Sequence, residues 1–155
     1  MENLPSYLSI IIAIAAFVFS LVAFLKGRSF QRYTTADNML IEILKLNVKY
    51  PLFNSQTFTS AYNRARIDMD PDYQRYDVYA MMIWNYLETL VDYYGPKKLL
   101  DCPFSGPVAY WAYLHSAWYH SPGNREYYSD AFEPIITDFE KELAQARLSA
   151  AEEAE

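Results

Sequence analysis

The chain has little of what most chemistry-bearing motifs require: of 155 residues, four are glycine, two are histidine and one, Cys102, is cysteine. A lone cysteine forbids an intramolecular disulfide. Four scattered glycines leave no glycine-rich loop to cradle a phosphate, and neither a P-loop nor a dinucleotide fingerprint is present. Metal chemistry needs three or four converging ligands, yet no HExxH, paired ExxH or CxxC spacing occurs, so no metal or other cofactor is expected. Ser105-Gly106 lacks the G-x-S-x-G setting of an activated serine. Strand alternation between hairpin turns, internal repeats and low-complexity linkers are all missing. Positive charge is scarce as well: from Tyr33 onward ten Lys/Arg face eighteen Asp/Glu, a net of −8. Those basic residues are scattered, which excludes nucleic acid as a partner.

What the chain does have is one long apolar run. Residues 4–25, "LPSYLSIIIAIAAFVFSLVAFL", carry no charge. As a helix they would extend about 33 Å, matching a hydrocarbon core of roughly 30 Å. A signal peptide would carry basic residues in front and a small-residue cleavage site; here the front is "MEN", and Lys26, Arg28 and Arg32 come after the run. A retained span is therefore expected, with the N-terminus outside and the rest in the cytoplasm by the positive-inside rule. A reduced cytoplasmic thiol agrees with that. The three cations would also meet anionic headgroups at the membrane surface. The expected partition is residues 1–26 as anchor, 27–35 as basic juxtamembrane segment, 36–148 as helical domain and 149–155 as a frayed acidic tail.

Helical periodicity organises the remainder. "NMLIEILKLNVKY" has a 3-4 apolar spacing that ends at Tyr50-Pro51; it either starts at a Thr35 or Asp37 cap or continues the span through Gly27. The loop that follows admits a short helix near 57–64. Asp70-Pro71 opens a helix as an acidic cap with proline at the first position, and Gly95-Pro96 closes it. Its stripe is Tyr76, Tyr79/Ala80, Ile83/Trp84, Leu87, Leu90/Val91 and Tyr94. Ser105-Gly106-Pro107 opens a further helix running to His120, with Val108, Trp111/Ala112, His115 and Trp118/Tyr119 on one face. The last helix carries Tyr128, Phe132, Ile135/Ile136, Phe139 and Leu143, with Pro134 kinking it or starting its second part. The fold expected is all-α: an irregular four- to five-helix bundle after one membrane span. Trp84, Leu87, Trp111, Trp118 and Phe132 are its expected packing residues. Aromatics make up 17% of the chain, fifteen of them tyrosine, whose hydroxyls belong at the rim of a core.

Three polar residues stand out as catalytic candidates. Asn85 and Glu88 fall at the edge of the Trp84/Leu87/Val91 stripe, where they would fix helix register by hydrogen bonding a neighbour. His115 lies on an apolar face, where it could meet Glu88 across a helix pair and supply the minimum for acid/base catalysis. A core histidine that is simply hydrogen-bonded is the plainer reading. His120 points away from His115 and sits beside a turn.

Tyr50-Pro51 after the first helix, the W-N-x-L-E sequence containing Asn85 and Glu88, Trp111 and Trp118 in a Trp-rich helix, and Tyr128 with Phe132 form a set over residues 36–140. On that set the chain resembles a family of small bacterial membrane-anchored proteins with one span and a compact helical domain. The resemblance implies the architecture and carries no catalytic residues. The leading function expected is a single-pass membrane protein whose cytoplasmic domain binds a protein partner or itself, with the lipid bilayer as its other partner. The alternatives are a membrane-tethered enzyme using Glu88 and His115, and an effector that perturbs the membrane on oligomerising; a span without polar lining residues argues against the last.

Overall fold

The computed structural model describes residues 4–63, 70–99, 102–130 and 132–152. It is 83% helical, with six α-helices and no strand among the described residues. These are α1 (Leu4–Lys49), α2 (Gln56–Ser60), α3 (Pro71–Tyr94), α4 (Ser105–Leu114), α5 (Ser116–Tyr119) and α6 (Glu133–Glu152). Short 3₁₀ turns at Pro51–Asn54, Pro96–Lys98 and Arg125–Tyr127 join them. The chain divides into two compact units, Met1–Asp37 and Asn38–Glu155.

In the first unit, α1 is apolar and every described side chain from Ser9 to Tyr33 is exposed. Its length and composition suffice to cross a membrane, two criteria that a cleavable leader also meets. Of the two starts open in the sequence, the structure has the continuous one: α1 runs through Gly27 without a break. Thr35 caps nothing; its hydroxyl donates to the Gln31 carbonyl one turn back, as Thr34 does to Phe30.

In the second unit, local signals fix α3. The Asp70 carboxylate accepts from the Asp72 amide at 2.8 Å, Pro71 begins the helix, and Gly95 ends it at φ +78°, a conformation that disfavours a side chain. Its stripe is buried from Tyr73 to Val91, and Tyr86 is buried beside it. The end of α1 lies antiparallel on α3, since Tyr79 donates to Asn47 while Thr89, ten residues on, reaches Met39. α4 packs on α3 and α6, and α5 on α2 and α3.

The core is unusually aromatic. Phe53, Phe58, Tyr62, Tyr73 and Tyr76 stack or meet edge-on at one end of α3. Trp84, Tyr119, Phe132, Tyr128 and Trp118 form a second cluster, and Tyr86, Phe104 and Trp111 a third. Ring pairs of this kind contribute about 0.5–1.5 kcal/mol each beyond the area they bury.

Three expectations need correcting. The helix expected to run to His120 breaks at His115 (φ −105°, ψ 13°) into α4 and α5. A physical reason is visible: the His115 carbonyl accepts from the Trp118 and Tyr119 amides and from Trp84 Nε1 at 3.3 Å, drawing the chain inward. The last helix, expected to carry Tyr128, begins only at Glu133, with a 3₁₀ turn over Arg125–Tyr127 before it; of the two roles open to Pro134, it stands in the first turn of α6 and makes no kink. The acidic tail expected to fray from residue 149 is helical through Glu152; residues 153–155 lie outside the described set, as does Arg64 at the end of the short helix expected near 57–64.

Candidate functional site

His115 is fully buried. Nδ1 lies 2.9 Å from the Tyr76 hydroxyl, and the ring meets Tyr79 edge-on with centroids 5.6 Å apart. Nε2 has no hydrogen-bond partner among the described residues. Burial with no compensating charge pushes the imidazole down to about 3, so it stays neutral at ordinary pH. Burial likewise pushes the Tyr76 and Tyr79 phenols well above their ordinary range.

Glu88 is elsewhere. Its carboxylate is half-buried and accepts from the Ser129 amide at 3.4 Å, a weak bond. Twelve residues of α3 separate Glu88 from Tyr76, His115's partner, which is about 18 Å of helix. The expected Glu88/His115 pair is therefore not formed. Asn85, expected at the core edge, is exposed, and its carbonyl accepts from Thr89 one turn on. The packing candidates Trp84, Leu87, Trp111, Trp118 and Phe132 are all buried, and Lys26, Arg28 and Arg32 are exposed.

Two polar arrangements were not legible in the sequence. Asp77 Oδ1 accepts from Tyr62 at 2.6 Å and from Trp118 Nε1 at 2.8 Å, while Asn124 donates to the Trp118 carbonyl at 2.8 Å. This network joins α3, α5 and the loops on either side. The second arrangement centres on Glu140 of α6, whose carboxylate accepts from Ser116 at 2.6 Å and contacts His120 Nε2 at 3.0 and 3.1 Å. Serine and histidine both bond to the carboxylate and not to each other. A serine nucleophile would need the histidine between them, so Ser116 is not activated.

His120 faces a cleft of about 550 Å³ at the α5–α6 turn. Arg125, Glu126, Asp130 and Glu133 line it, with Arg125 and Glu133 ion-paired to each other. Tyr119 and Tyr128 form its inner wall, and burial raises both phenols. No group of three metal-ligating side chains occurs among the described residues. A second cleft, about 360 Å³ and almost wholly apolar, lies between the end of α1 and the first half of α3. Leu46, Tyr50, Phe53, Val78, Tyr79 and Met82 line it, with Gln74 and Arg75 at its polar margin. His115 lines neither cleft.

No family model, no curated protein and no solved structure matches the chain.

Proposed function

We propose that the chain is a single-pass protein of the inner (plasma) membrane, with its N-terminus outside, and that its cytoplasmic helical domain binds another protein through the apolar groove between α1 and α3. The groove carries this reading, because Val78 and Leu52 stand about half exposed beside a lining that is nearly free of polar surface. An apolar groove lined by Tyr50, Phe53 and Tyr79 is what an amphipathic segment of a partner would fill, with Arg75 and Gln74 at the rim. The topology is supported by the uncharged run of α1 and by Lys26, Arg28 and Arg32 on its C-terminal side. To test it, a photo-cross-linker replaces Gln74 in the full chain in membranes. A discrete adduct lost in Val78→Glu, with unchanged thermal unfolding, is expected; an adduct indifferent to Val78→Glu, or none, overturns the reading.

A second reading, a membrane-tethered enzyme, draws support from the His120–Glu140 pair at the mouth of the polar cleft. In that reading His120 is the proton acceptor and Glu140 orients it, taking the parts that Glu88 and His115 do not fill. A small-molecule thermal-shift screen tests it: stabilisation should vanish in His120→Ala and Glu140→Gln.

A further inference from the structure

Outside the apolar run, one face of α1 is uncovered. Between Phe30 and Lys49 five large apolar side chains are exposed: Phe30 (72%), Tyr33, Ile41 (42%), Leu44 (46%) and Val48 (85%). All but Tyr33 fall on a single 4-3-4-3-4 spacing: Phe30, Thr34, Asp37, Ile41, Leu44, Val48. A 3.5-residue average is the period of a left-handed coiled-coil seam. The face α1 turns to its own domain is a different one, since Ile43 is fully buried and Asn47 bonds Tyr79.

We infer that this face packs on the same face of a second copy, in a parallel two-stranded coiled coil. The register of the spacing favours a second copy over any other occupant. Counted back into the apolar run, it falls on Ser9, Ala13, Ala16, Ser20, Ala23 and Gly27 without an interruption. Small residues let two helix backbones approach closely where lipid supplies no hydrophobic drive. Gly27 fits this: a Cβ built there meets nothing within 4 Å in the single chain, so its own fold does not require a glycine. A partner lacking the same repeat would match one stretch and miss the other.

Charge agrees. Of seven charged residues from Lys26 to Lys49, only Asp37 is on the seam. The flanking positions pair Lys26 with Gln31, Tyr33 with Asn38 and Leu40 with Lys45, bringing no like charges together. Asp37 is the exception: two copies bring the same carboxylate together, so the seam is weakest there.

The parallel orientation rests on the membrane reading, whereas the seam does not depend on the groove. Cysteine scanning of the full chain tests it, in a Cys102→Ala background, in isolated membranes oxidised with copper phenanthroline. Single cysteines replacing Phe30, Ile41, Leu44 and Val48 are expected to give disulfide dimers several-fold more than those replacing Gln31, Glu42 and Lys45. Leu44→Glu with Val48→Glu should reduce the dimer about tenfold while the domain's tryptophan emission is unchanged, and Asp37→Asn should increase it. Flat yields, or a maximum at Gln31, Glu42 or Lys45, overturn the seam. A periodic pattern in a chain that alkaline carbonate strips from the membrane sinks the span and keeps the seam.

Discussion

His115 and His120 are five residues apart and live in opposite environments. The first is enclosed by Tyr76 and Tyr79, reaches no charge and is held neutral by burial. The second is half exposed on a polar cleft and meets the Glu140 carboxylate at 3.0 Å. One short break in a helix separates a packing residue from one that reaches a carboxylate at the mouth of a cleft. The difference teaches that residue type alone did not assign the roles. The turn at His115 did, by sending one ring inward and leaving the next at the surface.

The sharpest way to test that contrast is acid. His115 takes up a proton near 6.5 in the unfolded chain and near 3 in the folded one, so the unfolded state binds more protons between those values. Stability should fall as pH drops below 6.5 and reach its full loss below about 3. Against His115→Gln, the wild-type domain should lose about 3 kcal/mol between pH 7 and pH 4 by urea titration.

A smaller effect is expected at Asp77, which ties the inward-turned segment to α3. Asp77→Ala removes the acceptor from the Trp118 indole and from Tyr62. It should cost about 2 kcal/mol, read as a lower denaturation midpoint with unchanged slope. Asp77→Asn, which keeps an acceptor oxygen, should recover part of it. Smallest of all is the outer pair: His120→Ala should change stability by under about 1 kcal/mol, because a hydrogen bond from a half-exposed side chain competes with water. A larger loss would mean the cleft is structural, and the enzymatic reading would fall with it.

How much of this was legible in the sequence depended on whether the signal was local. The bounds of α3 follow from Asp70-Pro71 and Gly95, because capping and a positive φ are decided within a few residues. The buried stripe from Tyr76 to Val91 follows from 3.6-residue periodicity. Pairing across helices does not. Glu88 and His115 each fell near a core face, but which residues of two helices meet depends on where the helices cross. Here Tyr76 takes the place opposite His115. Glu140 was hidden for the same reason: in "TDFEKEL" it reads as one more solvated carboxylate, and only the fold brings it twenty residues back to His120. The helix break at His115 carries no proline or glycine to announce it.

One buried atom offers a clock. Cys102 is the chain's single thiol, lies in the core and has its acidity suppressed by burial. Alkylation in the native state can proceed only through molecules that have opened around it. Its labelling rate therefore counts excursions of the second unit around Cys102, without any introduced reporter. A ligand for either cleft would announce itself by slowing that count.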